Sequence, residues 1–319
     1  MAARTGREHA SLLGSGRPLS VRRIASAMEP AVSTLQANEL LGYPADARLL
    51  IINADDFGAY HAVNAAILRT FSDGIVRSTT LMAPCPWALH AMRLVRDHPD
   101  ITCGVHLTVV SEFADYRWGP LTSRHRVPSL LDETGFFYSN DRQPELLARA
   151  NLDELEVEFR AQIEAVLSAG LRPTHLDWHC LYDGGRDDVF DLTVGLACEY
   201  GLALRVFDAT RSEQLQRRGL PAADHGVVDS TRLATANKTA RFVRMLRELP
   251  AGLSEWAVHP GLGTAEARAI DGWWAKRAAD LRFLVSREAR ETVAAEGIVL
   301  LDYRALQAIW SGNRARHPA

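Results

Sequence analysis

A run of large aliphatic residues that ends in two carboxylates constrains the fold of this chain more than any other stretch. The run reads Leu49-Leu50-Ile51-Ile52-Asn53-Ala54-Asp55-Asp56-Phe57-Gly58. Four consecutive aliphatic residues predict a strand that is buried on both faces, as in a parallel sheet covered by helices. Burying a carboxylate is costly unless a cation or hydrogen bonds compensate. The pair at the strand end therefore indicates either a bound metal ion or a turn in which one Asp caps the next helix.

The rest of the chain alternates strand and helix patterns. After the first strand, strands are predicted at residues 78–83, 102–107, 174–179, 202–207, 255–258 and 298–301. Helical spacing of apolar residues predicts helices at 60–72, 87–96, 152–170, 187–200, 231–249 and 273–295. Seven strand and helix units in this order predict an α/β fold, either a parallel (β/α) barrel or a doubly wound sheet. In both architectures, sites form at the carboxyl ends of the strands.

Two terminal segments and one internal segment do not follow this alternation. Residues 1–47 are rich in arginine and lack an apolar stretch long enough for a secretory signal, so we expect a disordered N-terminal extension. Residues 48–310 should form a single barrel domain that carries the catalytic site, and residues 311–319 a tail. Between about 110 and 145 the sequence has no period, which predicts an insertion that shapes the pocket.

Composition excludes several classes of protein. The 319 residues are 47% hydrophobic and 24% charged, and the net charge is −3, so nothing indicates binding to nucleic acid or to an anionic membrane. No apolar run approaches the roughly 20 residues of a membrane span. The four cysteines lie far apart without a CxxC spacing, which predicts reduced thiols and a cytoplasmic location. The oligomeric state stays open, with a homodimer as one option.

Residues that bind metals or transfer protons collect at the predicted strand ends. They are Asp55, Asp56, His106, His175, Asp177, His179, Arg205 and His259. In the fourth strand, the side-chain period of two places His175, Asp177 and His179 on one face and Thr174, Leu176 and Trp178 on the other. One carboxylate with two imidazoles is a common ligand set for a catalytic divalent metal ion. Such an ion suits hydrolysis of an unactivated amide, which also requires a base and an acid.

Four motifs together carry a family resemblance. They are Asn53-Ala54-Asp55-Asp56-Phe57-Gly58, Gly104-Val105-His106-Leu107, Thr174-His175-Leu176-Asp177-x-His179 and His259-Pro260. In this order and spacing they resemble the YdjC-like carbohydrate deacetylases, among them chitooligosaccharide deacetylases, over roughly residues 48 to 305. The resemblance implies a distorted seven-stranded (β/α) barrel of the polysaccharide-deacetylase type. It also implies that an N-acetyl group is removed from a small carbohydrate and that acetate is released.

The resemblance implies a cofactor and its ligands. One divalent metal ion, zinc or magnesium, would be held by Asp56, His106 and His179. Asp55 would be the general base that deprotonates the attacking water, and His259 the general acid for the departing amine.

Two further strand-end residues would tune this acid and base. Asp177 and Arg205 are the expected partners, although Arg205 also fits a purely structural ion pair. His259 before Pro260 also fits a plain strand end.

The chain departs from the family where familiar members continue the fourth motif as Ser-His-His-His. Here the sequence is Trp178-His179-Cys180-Leu181, so His179 keeps the ligand position while the substrate rim differs. A Cys180 thiolate is an alternative ligand that would favour zinc, although adjacent strand residues point apart. Trp118 and Trp178 are the candidates for stacking on a sugar. His175 is either a substrate contact or a buried core histidine.

Two other functions fit the same residues. A metal-dependent hydrolase of another amide or of an ester would use the same site. A carbohydrate-binding relative would keep the barrel without turnover. Asp55 argues against this last function, because a binding module needs no base beside its metal ligand.

Overall fold

A parallel sheet forms the centre of the molecule. A computed structural model of the chain describes residues 36–314. The strands within that range are β1 (Arg48–Phe57), β2 (Ser78–Leu81), β3 (Thr102–Leu107), β4 (His175–Trp178), β5 (Ala203–Leu204), β6 (Val227–Asp229), β7 (Gly252–Val258) and β8 (Val299–Leu301). As the aliphatic run predicts, Leu49 to Ile52 of β1 are fully buried.

Helices follow the strands along the chain. They are α1 (Ala37–Leu41), α2 (His61–Asp73), α3 (Ala88–Asp97), α4 (Gln143–Arg149), α5 (Leu152–Ser168), α6 (Asp187–Tyr200), α7 (Ala209–Arg217), α8 (Lys238–Arg247), α9 (Ala265–Ile270), α10 (Trp274–Leu284), α11 (Arg287–Ala295) and α12 (Tyr303–Arg314). The longest, α5, begins where the sequence predicts, because the Asn151 side chain accepts hydrogen bonds from the backbone N–H groups of Asp153 and Glu154. No helix of residues 36–314 combines the length and apolar character needed to cross a bilayer.

Seven strands form one hydrogen-bonded path in the order β5-β4-β3-β2-β1-β7-β6, with every pairing parallel. β8 pairs with the first half of β1, where Ile51 is opposite Leu301. β2 pairs with the second half, where Asn53 is opposite Ser78. In the described range no ladder joins β5 to β6, so the sheet is a half-barrel. The predicted α/β barrel class is confirmed, and its carboxyl strand ends lie at one edge.

Several predicted boundaries change. β6 was not predicted, because its three half-buried residues form no buried apolar run. The single helix expected over 273–295 is two helices, since the Ser286 side chain accepts from the backbone N–H of Ala289 and begins α11. The expected insertion contains only short 3₁₀ helices and irregular backbone up to its last residues, which begin α4.

The folded part begins earlier and ends later than 48–310. The buried Asn38 side chain donates to the backbone oxygens of Pro44 and Ala47, and the Ala37 N–H donates to Asp224. The expected disorder is therefore wrong for residues 36–47. The expected tail is too long, because α12 extends to Arg314. The predictions for residues 1–35 and 315–319 lie outside the described residues.

Candidate active site

A cavity of about 490 Å³ opens at the carboxyl edge of the sheet. Its walls include five of the residues that the sequence singles out for chemistry: Asp55, Asp56, His106, His179 and His259. The strands β1 and β3 and the residues that directly follow β4 and β7 deliver these side chains. Because parallel strands end at the same edge, residues far apart in sequence meet here.

Both carboxylates at the end of β1 face this cavity, although adjacent strand residues normally point to opposite faces. The backbone of Asp56 has φ 70°, in the left-handed region that residues other than glycine rarely adopt. At the same place, the β1–β2 register shifts between Ala54 and Phe57. This local irregularity turns the second carboxylate into the cavity, and such strained residues cluster at functional sites.

Asp56, His106 and His179 converge on one point, and we name them the inner triad. Asp56 Oδ1 lies 3.4 Å from His106 Nε2 and 3.2 Å from His179 Nδ1. Each of the three side chains is at most 4% exposed. Their donor atoms all lie within 4.8 Å of one another, which suits a single bound cation. The structure therefore brings together the three predicted metal ligands.

Carboxylates orient both imidazoles of the inner triad. His106 Nδ1 lies 2.7 Å from Asp177 Oδ1, and His179 Nε2 lies 2.7 Å from Glu112 Oε2. If these nitrogens donate their protons, His106 Nε2 and His179 Nδ1 are left with free lone pairs that face Asp56. A histidine that binds metal through one nitrogen and donates to a carboxylate through the other is a recurrent arrangement. The donor set therefore fits a divalent ion.

The charges around the inner triad also favour a cation. Burial lowers the pKa of His106, but the Asp177 carboxylate outweighs burial and raises this pKa to about 9. For Asp56, burial raises the pKa, yet the Arg277 guanidinium and the neighbouring histidines bring it well below its usual range. Asp56 thus stays ionised at neutral pH and stabilises positive charge beside it.

Arg205 joins three buried carboxylates. Its guanidinium is 1% exposed and lies 2.8 Å from Asp55 Oδ2, 2.6 Å from Asp177 Oδ2 and 2.7 Å from Glu255 Oε1. Burial raises the pKa of Asp55, but Arg205 outweighs it and the pKa falls to about 2. Asp55 is therefore an ionised acceptor of fixed orientation at neutral pH.

His259 lies opposite, at the end of β7. Its Nε2 is 3.8 Å from Asp55 Oδ2, and its Nδ1 is 3.1 Å from Ser230 Oγ. Ser230 donates its hydroxyl proton to Asp280, which also pairs with the buried Lys238. Because the Ser230 hydroxyl donates its only hydrogen to the hydrogen bond with Asp280, its oxygen accepts a hydrogen bond from His259 Nδ1–H. His259 Nε2 is left facing the cavity.

The three side chains proposed to contact substrate are buried and pack within the protein. Trp178 is 3% exposed and donates its Nε1–H to Thr193 Oγ1, because residue 178 alternates with Asp177 and points to helix α6. Trp118 is 2% exposed and donates to the Val110 carbonyl. His175 is fully buried and stacks on Tyr303 with ring centroids 3.6 Å apart. Trp118 and His175 are not among the residues that line the cavity, so a sugar bound there does not contact them. Trp178 does line the cavity, and its role as a sugar contact stays a prediction.

Other residues that were not predicted as site residues also line the cavity. Trp273 and Tyr182 are 47% and 41% exposed and line the cavity. Arg277 Nη1 lies 2.7 Å from Asp56 Oδ2. Arg277 shares the buried stripe of α10 with Leu281 and Leu284, a helical spacing that was visible in the sequence. Nothing in the sequence distinguished exposed Trp273 from its half-buried neighbour Trp274.

Comparison with known proteins agrees with the resemblance seen in the motifs. The model of the family described as YdjC-like protein matches residues 49–295. The chain is 33% identical over 260 residues to a carbohydrate deacetylase of Geobacillus stearothermophilus. This match covers 81% of the chain and 97% of that protein. It is 31% identical over 264 residues to a carbohydrate deacetylase of Enterococcus faecalis, with coverage of 81% and 97%.

A solved structure shares the fold. The crystal structure of a suggested cellobiose-phosphate cleavage protein from Enterococcus faecalis V583 superposes with a TM-score of 0.71 at 29% identity. The match covers 82% of this chain and 99% of that one. With a family model that spans most of the chain and relatives matched over nearly their whole length, the chain belongs to the YdjC-like protein family.

Proposed function

We propose that this protein is a metal-dependent hydrolase that removes an N-acetyl group from an amino sugar or a short N-acetylated oligosaccharide. The observation that carries the proposal is the convergence of Asp56, His106 and His179 beside Asp55 and His259 in one cavity. A metal-ligand set, a candidate base and a candidate acid are what amide hydrolysis requires.

The inner triad would hold one divalent ion, zinc or magnesium. When bound, the ion would polarise the acetyl carbonyl and make a neighbouring water more acidic. Asp55 accepts the proton of the attacking water, because it is ionised and its oxygens face the cavity. Arg205 holds both Asp55 oxygens, at 2.8 and 2.9 Å, so the base keeps one orientation.

His259 delivers a proton to the departing amine nitrogen. Its Nε2 faces the cavity 3.8 Å from the Asp55 carboxylate, so acid and base lie beside the same bond. Ser230 orients the ring through Nδ1, and Asp280 orients Ser230. A proton taken up by Asp55 can thus be matched by one given by His259, and the products are acetate and a free amine.

A sugar substrate is supported by the cavity and by the relatives. Two partly exposed aromatic residues, Tyr182 and Trp273, line the cavity together with polar side chains. A volume of about 490 Å³ is typical of a small-molecule site. The similar proteins of G. stearothermophilus and E. faecalis are named carbohydrate deacetylases. The free thiols of all four cysteines support a reducing, cytoplasmic location.

Acetate release tests the proposal. N-acetylated chitooligosaccharides are incubated with the protein, with and without a chelator, and metal content is measured after purification without added metal. We expect release that the chelator abolishes and that added metal restores. Stoichiometric metal without release would favour another amide or an ester as substrate. Sugar binding without release would favour a binding protein.

Two histidine variants locate the metal. His106→Ala should lose both the metal and turnover, because it removes a ligand of the inner triad. His98→Ala is the matched control, since that histidine is exposed on the surface, and it should keep both. Stoichiometric metal in His106→Ala would contradict the ligand assignment.

A further inference from the structure

A cysteine where familiar relatives have histidine lies beside the inner triad. Cys180 lines the cavity and is partly buried. Its Sγ lies 3.3 Å from His179 Nε2, and Glu112 Oε2 lies 2.7 Å from the same nitrogen. A thiol, an imidazole and a carboxylate therefore meet on the side of His179 that faces away from Asp56.

The backbone explains why two adjacent side chains meet. In a regular strand they would point to opposite faces, which was the argument against Cys180 as a ligand. Strand β4, however, ends at Trp178, and Cys180 has φ 60°, in the left-handed region. This turn brings the Cys180 sulfur back onto the His179 ring.

We infer that Glu112, His179 and Cys180, here named the outer triad, form a second binding site for a soft or borderline divalent cation such as Zn²⁺ or Cd²⁺. One donor atom from each residue lies within 4.8 Å of the others. In a tetrahedral zinc site the nitrogen–sulfur edge is about 3.5 Å and the nitrogen–oxygen edge about 3.3 Å. The 3.3 Å separation of Cys180 Sγ and His179 Nε2 is close to the first value. The carboxylate needs to move outward by about 0.6 Å from its 2.7 Å hydrogen bond.

The inner and outer triads compete for His179. A neutral imidazole has one lone pair, which the inner triad uses at Nδ1 while Nε2–H donates to Glu112. A cation in the outer triad takes the lone pair of Nε2, so the ring proton moves to Nδ1 and is donated to Asp56. The cation also replaces the thiol proton of Cys180, which is released to solvent. Excess zinc should therefore withdraw a ligand from the inner triad and inhibit the enzyme.

A Cd²⁺ titration tests the outer triad without relying on turnover. Cadmium–thiolate bonds absorb in the ultraviolet, so the full chain should show a band that saturates as Cd²⁺ is added. Cys180→Ser should lose the band. Cys198→Ser, which changes a partly buried cysteine on α6, is the matched control and should keep it. A band that persists in Cys180→Ser, or no band in the unmodified chain, would overturn the site.

A second variant leaves the thiol in place. Glu112→Gln should weaken Cd²⁺ binding at least about tenfold, a loss typical even of residues that only contact a metal ligand. Unchanged Cd²⁺ affinity in Glu112→Gln would remove the carboxylate from the outer triad and overturn the three-residue site.

Zinc inhibition tests the competition, and this part rests on the proposed function. Each variant is compared with its own rate without excess zinc. We expect excess zinc to inhibit the unmodified chain and Cys198→Ser. Inhibition of Cys180→Ser should require a zinc concentration at least about tenfold higher. Equal inhibition of all three would refute the competition. If no acetate release is found, the proposed function fails, and the Cd²⁺ titration still decides the outer triad.

Discussion

Replacing Arg205 with alanine should destabilise the protein much more at pH 7 than at pH 5. Arg205 is 1% exposed and is the cation shared by Asp55, Asp177 and Glu255. Removing it leaves three buried carboxylates without their guanidinium. Breaking a buried ion pair in this way costs about 3–5 kcal/mol.

The free energy of protonation limits how much each unpaired carboxylate can destabilise the folded protein. Protonating a carboxyl group whose pKa in the unfolded state is about 4 costs about 4 kcal/mol of free energy at pH 7 and about 1.4 kcal/mol at pH 5. In the variant the folded-state pKa of such a group is raised above its unfolded value, so the folded state binds the extra proton. Stability then increases as pH falls, by about 1.4 kcal/mol per unit for one proton. We expect a loss of about 4 kcal/mol at pH 7 and about 1–2 kcal/mol at pH 5.

Urea unfolding in the presence of a chelator measures both values, with tryptophan fluorescence as the signal. Arg244→Ala is the control, since that side chain is 67% exposed and pairs with Glu248 on the surface. Its effect should stay within about 0.5 kcal/mol at either pH. A loss below about 1 kcal/mol for Arg205→Ala at pH 7, or the same loss at both pH values, would refute the reasoning.

Three further variants test the assignments at and beside the cavity. Asp55→Asn removes the proton acceptor but leaves the inner triad intact. We therefore expect kcat to fall about 10²- to 10⁴-fold while the metal content is unchanged. Loss of the metal in this variant would show that Asp55 is itself a ligand. Trp273→Ala should raise KM and leave Tm nearly unchanged, because the side chain is 47% exposed at the cavity. Trp178→Ala should instead cost about 3–5 kcal/mol of stability, because its buried indole packs against Phe190 and Thr193. If Trp178→Ala raised KM at unchanged Tm, the assignment of the two tryptophans would be reversed.

Local sequence patterns were enough to predict that the residues of the inner triad lie at strand ends, and the family resemblance singled out these three among the eight candidates there. Buried aliphatic runs identify parallel strands, and parallel strands place their carboxyl ends together. Asp56, His106 and His179 stand at or just after three such ends. Their meeting point follows from topology, which the alternation of strand and helix patterns already indicates.

Side-chain direction was predictable in part. The period of two in β4 placed Trp178 on the face opposite Asp177, and the structure has it there, against α6. The indole N–H therefore points away from Asp177, although Trp178 still lines the cavity and its role as a sugar platform stays a prediction. His175 was placed correctly on the inner face, but its stacking on Tyr303 joins β4 to the start of α12, a contact between distant segments.

The partners of the site residues were decided by the tertiary structure. Arg277 reaches Asp56 from α10, and Glu112 reaches His179 from the irregular insertion. Local periodicity contains no information on such pairs, because they form only when the sheet brings distant segments together.

The sequence by itself determined that acidic and imidazole groups gather at one edge of a parallel α/β sheet. The tertiary structure alone decided which neighbours orient each group. It also decided that Asp56 and Cys180 adopt left-handed backbone conformations that turn adjacent side chains toward the same cavity. Strand periodicity assumes extended backbone, and it fails at these two residues because surrounding contacts stabilise a conformation that local preference disfavours.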